Sequence, residues 1–318
     1  NGVLYGITIL IWGSSWIMIK FQVEVVSASI SVFYRFFLAA IILQCLCLIK
    51  RQKSVYDLRE HIFIAIQGFC LFAVNYWLFY LSAEYLSSGL MALIFSTIVV
   101  MNMINGRIWF GTPINLKMVF GAMMGISGLT LVFWPEIQWE DSNYNMFKGL
   151  LLAFVATYFS SLGNIISIRN QKKGIPVFYS NAYAMTFGCL TMLMITMITG
   201  EHWNFSWNPQ FLLSLVFLSV FASVVGFWCY LTLLGRVGAD RGAYATLIFP
   251  IVALSISTVF EGYQWSLIAI SGVVLILLGN FIILKRSSKS LKIVLNRGNY
   301  LSSFFQFIIL STSREDLI

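Results

Sequence analysis

Val74-Asn75-Tyr76-Trp77 opens a stretch, residues 74–131, that is apolar almost throughout and closes on Leu129-Thr130-Leu131. Residues 225–282 repeat its pattern. Trp77 and Trp228, Ala92 and Ala243, Gly111 and Gly262, Gly121 and Gly272, and Gly128 and Gly279 all stand 151 positions apart, with no gap. A doubled apolar unit of this size is an internal repeat, and the fold is read from it.

Composition sets the solvent. Of 318 residues, 59% are hydrophobic and 10% charged, and the mean hydropathy is +0.85. A soluble domain carries about 25% charged residues, so this chain cannot cover itself with polar surface. Apolar runs of ~20 residues then read as membrane spans, because ~30 Å of hydrocarbon needs about that much helix. The runs are continuous rather than alternating with period two, which selects helices over a barrel. Ten runs are expected, near 2–19, 29–49, 61–83, 87–106, 116–134, 147–168, 176–199, 211–234, 239–260 and 266–284. The fold class is therefore an all-α membrane protein of ten transmembrane helices. Its domains are residues 1–134, an outer linker 135–146, residues 147–285, and a basic cytoplasmic tail 286–318. Val32-Phe33-Tyr34 recurs as Val177-Phe178-Tyr179, and Ser14-Ser15 falls opposite Ser160-Ser161. An odd number of spans per unit turns the second unit upside down, giving two inverted five-helix repeats.

Charge sets the orientation. With the N-terminus in the cytoplasm, the inner loops hold Lys50, Arg51, Lys53, Arg59, Arg107, Lys117, Arg169, Lys172, Lys173, Arg236 and Arg241. The outer side keeps Lys20 and Lys148 and is otherwise acidic, through Glu24, Glu84, Glu136, Glu140, Asp141, Glu201 and Glu261. The bias puts both termini inside. It accounts for the net charge of +8 without a nucleic-acid partner. The five cysteines lie in apolar runs without metal-ligand spacing and read as packing residues. The patch Phe304-Phe305-Gln306-Phe307-Ile308-Ile309-Leu310 is too short to span; it lies on the inner leaflet or belongs to a disordered tail.

Few residues carry chemistry. Trp12, Ser15, Trp16 and Ile19 share a helix face, which suits a pocket wall or a helix seam opened by Gly13. Arg35 lies six residues past Ser29, so ~9 Å into the bilayer at 1.5 Å per residue. A guanidinium there faces a wet cavity or clamps other groups. It is read as an anchor for a substrate carboxylate, against a structural clamp on carbonyls or Glu84. Lys20 cooperates with it or snorkels to the headgroups. Thin polar stripes run along several helices: Gln67 and Asn75; Ser88, Phe95 and Asn102; Ser160, Asn164 and Ser167; Ser219, Ser223, Gly226 and Tyr230. They converge on a cavity or glue helices together. Tyr34, Trp228, Tyr230 and Tyr244 join Trp12 and Trp16 as aromatic lining. Glu261 and Glu84 are the candidates for coupling to protons. His61 and His202 sit at the interfaces, and no metal site is expected.

Together these features resemble the drug/metabolite transporter superfamily in its ten-helix EamA-type branch. The resemblance rests on Trp12-Gly13-Ser14-Ser15-Trp16 with Lys20, on Arg35 before Ala39-Ala40, and on Gly238-Ala239 leading to Ala243, Pro250 and Glu261-Gly262. The two five-helix halves complete it. It covers about residues 2–285. It implies exporters, and some importers, of amino acids, nucleosides or other small metabolites. It also implies a central cavity, alternating access, hinges at Pro250 and Gly238, and no cofactor. The first half departs from the pattern: Val99 and Phe110 stand where Pro250 and Glu261 have their counterparts, which leaves open whether the fourth helix breaks.

The function expected is a secondary transporter in a bacterial-type inner membrane, exporting a small polar or zwitterionic metabolite. A nucleotide-sugar or S-adenosylmethionine carrier is the same-class alternative and calls for more intramembrane charge. A membrane enzyme calls for clustered carboxylates or a deep His–acid pair, which the sequence does not offer. A non-transporting membrane interaction protein is the remaining alternative.

Overall fold

The computed structural model describes residues 2–49, 56–133, 143–227, 229–230 and 245–297, with side chains for all of these except 143, 245–247 and 284–297. Among the described residues there are helices and no strands. They are α1 (Gly2–Val23), α2 (Ala28–Ile49), α3 (Leu58–Ser82), α4 (Ser88–Phe110), α5 (Leu116–Phe133), α6 (Asn143–Lys172), α7 (Val177–Thr199), α8 (Pro209–Val225), α9 (Ala245–Phe260) and α10 (Leu267–Arg297). Seven, α1 to α7, are long and apolar enough to cross a membrane; the apolar stretches Pro209–Val225, Ile248–Phe260 and Leu267–Ile283 are shorter. The expected linker lies mostly outside the described residues, and α6 begins at Asn143 within it. The apolar patch at 304–310 also lies outside them.

The repeated glycines have separate physical causes. Gly111 and Gly262 follow α4 and α9 with φ of 66° and 69°, a left-handed conformation that terminates a helix at little cost only for glycine. The other two pairs make one seam. A Cβ on Gly121 would stand 2.6 Å from the carbonyl oxygen of Gly279, and one on Gly128 would stand 2.5 Å from that of Gly272. Backbone meets backbone, and the order of the pairs makes α5 and α10 antiparallel. Each glycine meets the repeat counterpart of the other one.

Two helices widen at matching places. α3 is π-helical over Phe69–Val74 and α8 over Phe217–Val225; Val74 and Val225 are 151 apart in the chain. π turns interrupt the usual ladder and occur often at functional sites. The fourth helix does break, without proline. Ser96 and Thr97 separate Ser88–Phe95 from Ile98–Phe110. Their hydroxyls turn back onto the carbonyls of Leu93 and Ile94, both at 2.7 Å, which competes with the helix ladder. Asn280 of α10 donates to the Ser96 carbonyl at 3.1 Å. In α9, Pro250 lies inside the helix and is buried.

The packing has a recurring pattern. α2 lies on α7, α4 on α9 and α5 on α10; α1 lies on α8 and α9, while α6 lies on α3 and α4. The buried centre is aromatic and aliphatic: Phe36, Phe72, Tyr80, Met91, Leu93 and Ile94 are all 0% exposed.

Candidate functional site

Arg35 sits in the middle of this bundle and is 2% exposed. Its Nε donates to Ser223 Oγ at 3.2 Å, and the Ser223 hydroxyl donates to the Leu218 carbonyl within the π segment of α8. The guanidinium lies over the Tyr76 ring at 4.3 Å and the Phe36 ring at 5.3 Å, within cation–π range. Tyr80 is beside it and donates its hydroxyl proton to Gln22 Oε1 at 2.7 Å. Among the described residues Arg35 has no ion pair, and its Nη1 has no partner. A guanidinium pairs with a planar anion in two parallel hydrogen bonds when one edge is free, and the Nη1 of Arg35 has no partner. The clamp on Glu84 is not what the structure shows: Glu84 is exposed in the turn after α3.

Trp12 also reads α8. Its Nε1 donates to the Ala222 carbonyl at 3.3 Å, inside the π segment, where the altered ladder makes a carbonyl available. Its ring packs on Phe227 at 5.4 Å and Tyr230 at 4.9 Å. Trp16 is 7% exposed and packs among Phe79 at 5.0 Å, Phe95 at 5.6 Å and Phe249 at 6.5 Å. The two serines between them are occupied by their own helix: Ser15 donates to the Trp12 carbonyl at 2.8 Å, and Ser14 to that of Leu10 at 2.6 Å. Gly13 serves the seam, with Val252 of α9 at 2.7 Å from a Cβ placed there.

Other expected lining residues are dispersed. Lys20 donates to the carbonyls of Ala83 at 2.7 Å and Leu86 at 3.2 Å, closing the C-terminal end of α3 as a cation should. Its ammonium is also 3.9 Å from Glu261. Glu261 accepts from the Ser88 backbone N–H at 2.9 Å and from the Ser88 hydroxyl, so it caps α4. Tyr34 faces the loop after α7: its hydroxyl donates to the Asn204 carbonyl at 3.0 Å, and its ring packs on Trp203 and Phe205. Asn164 is half-buried on α6. Trp228, Gly238 and Tyr244 lie outside the described residues.

A second polar patch joins α3, α4 and α6. Asn75 donates from Nδ2 to Ser160 Oγ at 2.9 Å, and Asn105 from Nδ2 to Ser161 Oγ at 2.9 Å. The Oδ1 atoms of Asn75 and Asn102 are buried without partners. Nearer the other end of α3, Gln67 is a hub. It donates to Asn181 Oδ1 at 3.0 Å and accepts from Asn170 and Ser180, both at 2.9 Å. Arg169 extends this network with an ion pair to Glu60 and a bond to Asn170 Oδ1 at 3.1 Å. The sequence brought out Gln67 and Asn75 as one stripe, and both reach α6. It missed Ser223 as the Arg35 partner, and it missed Gln22, Asn181 and Asn280. Their signal, a lone polar residue inside an apolar run, names no partner.

Residues 1–134 and 147–285 both match the EamA-like transporter family. This chain belongs to the EamA-like transporter family. Among relatives of this transporter chain, Protein PagO of Salmonella typhimurium is 23% identical over 89% of this chain and 92% of its own length. Uncharacterized transporter YoaV of Bacillus subtilis is 24% identical over 86% and 92%. A protein of Escherichia coli named "Probable amino-acid metabolite efflux pump" is 22% identical over 89% and 94%. A solved crystal structure of a protein shares the fold with a TM-score of 0.61, at 14% identity, over 88% of this chain and 94% of that one. The EamA-like chain is thus a multi-pass membrane protein of a transporter family.

Proposed function

We propose that this chain is a secondary transporter that exports small carboxylate-bearing metabolites, amino acids among them, by alternating access between two inverted five-helix groups. The observation that carries the substrate class is Arg35: a guanidinium 2% exposed, with an unpartnered Nη1, set among aromatic faces and on a π segment. The E. coli relative's name points to the same class. Family membership and the relatives' names favour transport over membrane enzymology.

Several features support ten spans in inverted groups. The shorter helices α8, α9 and α10 fall at the places of α3, α4 and α5 under the repeat. The π segments match, the glycine pairs of the α5–α10 seam exchange counterparts, and α1 has on α8 and α9 the neighbours that α6 has on α3 and α4. The bias of Lys and Arg supports cytoplasmic termini, and the bacterial relatives support an inner membrane. Trp12, Trp16 and Tyr230 then line the path, and Pro250 and the Ser96–Thr97 break give the facing helices α9 and α4 a place to bend. Proton coupling enters through Glu261. Its protonation would weaken its hold on Ser88 and Lys20 and so loosen the end of α9 from α4 and α1.

The test is flux in proteoliposomes loaded with labelled amino acids. Arg35→Gln should lower flux at least tenfold with membrane yield unchanged; equal flux would reject the anchoring role. Glu261→Gln should leave a flux that no longer responds to a proton gradient, whereas an unchanged response would remove Glu261 from coupling.

A further inference from the structure

Asn75 can be oriented from its hydrogen bonds alone. Ser160 donates its hydroxyl proton to the Ala156 carbonyl at 3.0 Å, so toward Asn75 it offers only lone pairs. The Asn75 group facing it must then be Nδ2, as found at 2.9 Å, and Oδ1 must point elsewhere. That oxygen is buried and unpartnered, in a residue 3% exposed. A buried carbonyl oxygen without a donor is costly. A second such oxygen, Oδ1 of Asn102, occurs on α4. One helical turn further on, Asn105 binds Ser161 of the same helix that carries Ser160, so both asparagines sit on helices that pack on α6. Asn75 immediately precedes Tyr76, whose ring carries the Arg35 guanidinium. The Asn75 oxygen and the guanidinium thus meet α3 at consecutive residues, about 3.8 Å between Cα atoms, on neighbouring sides of the helix.

We infer that Asn75 and Asn102 form a carbonyl-oxygen subsite for the hydrogen-bond donor of the substrate, an ammonium or a hydroxyl, while Arg35 holds its carboxylate. The inference rests on the reading of Arg35 as the carboxylate anchor. Neutral carbonyl oxygens receive either donor through the same geometry, and they stabilise an ammonium without adding a fixed negative charge to the bundle. Ser160 is a positioning residue: it fixes which end of the Asn75 amide is presented.

The purified full chain in lipid nanodiscs tests this with three probes of one shape: leucine, 2-hydroxy-4-methylpentanoate and 4-methylpentanoate, which carry an ammonium, a hydroxyl and no donor. Binding is read by tryptophan fluorescence and thermal shift. Wild type should bind leucine, the hydroxy acid, or both at least tenfold more tightly than the acid lacking a donor. Asn75→Leu should erase that preference while keeping the carboxylate requirement. Asn75→Asp should restore leucine binding but not hydroxy-acid binding, and it serves as the folding control. Ser160→Ala should reduce the preference severalfold. Equal binding of all three probes by wild type, binding of none, or a preference unchanged in Asn75→Leu overturns the subsite. Failure of the anchor reading looks different: Arg35→Gln would then bind all three probes as wild type does, whatever Asn75 contributes.

Discussion

Arg35 concentrates the cost and the use of this structure in one side chain. A buried charge without an opposite charge destabilises a fold, and replacing buried ionic groups by apolar ones of similar volume is often stabilising by roughly 1–4 kcal/mol. Arg35→Met should therefore raise the thermal midpoint of the purified protein while abolishing flux. A lower midpoint would mean that its bonds to Ser223 and its aromatic contacts outweigh the charge. The sequence disclosed the depth of Arg35 in an apolar run, since a lone guanidinium there stands out. It did not disclose Lys20 as a helix cap, because the carbonyls of Ala83 and Leu86 that bind it carry no sequence signature. Tyr34, expected as aromatic lining, packs on the loop aromatics Trp203 and Phe205, contacts that its place in an apolar run does not reveal.

At the scale of elements, the helices were legible and their irregularities were not. Length and hydropathy gave most described runs to within a few residues, although α6 extends to Lys172, α3 starts at Leu58 and α10 runs on to Arg297, past the expected end at 284; the boundary between the eighth and ninth runs lies outside the described residues. The π segments leave no mark in composition. The break at Ser96–Thr97 replaces the proline expected by symmetry, through two hydroxyls that fold back on the helix. Asn280→Leu should destabilise the protein by about 1–3 kcal/mol, the usual cost of a buried acceptor left unpaired; denaturation in detergent by circular dichroism measures it. The α5–α10 seam gives a matched pair. Gly128→Ala drives a methyl into the Gly272 carbonyl oxygen and should strongly lower yield and thermal stability. Gly125→Ala, three residues earlier on the same helix, has nothing within 4 Å of the new methyl and should be tolerated. Equal tolerance of both would show that the helices separate freely there.

For the molecule as a whole, α3 is held at both ends. Tyr80 ties it to Gln22 of α1 at one end, and Gln67 ties it to α6 and α7 toward the other, with the π segment between. The ion pair of Arg169 and Glu60 closes that second end, and its side chains are 18% and 19% exposed. Arg169→Met should cost about 1–3 kcal/mol by leaving Glu60 without its partner, and should increase amide exchange at the start of α3. Exchange confined to α10 would argue against a linked network. The glycines of the seam and of the left-handed caps were readable from their spacing, because such positions tolerate little else. Which helices touch was not readable, since each apolar face accepts several neighbours.

The glycine seam also sets a timetable for biosynthesis. Gly121 emerges from the ribosome 158 residues before Gly279, the glycine it packs on, and at roughly 5–20 residues per second that delay is about 8–32 seconds. During this interval α5 sits in the bilayer with a bare backbone groove, open to lipid, to an insertase or to another nascent chain. Slow codons between the two segments would lengthen that exposure, and premature release of the chain would leave the groove unfilled.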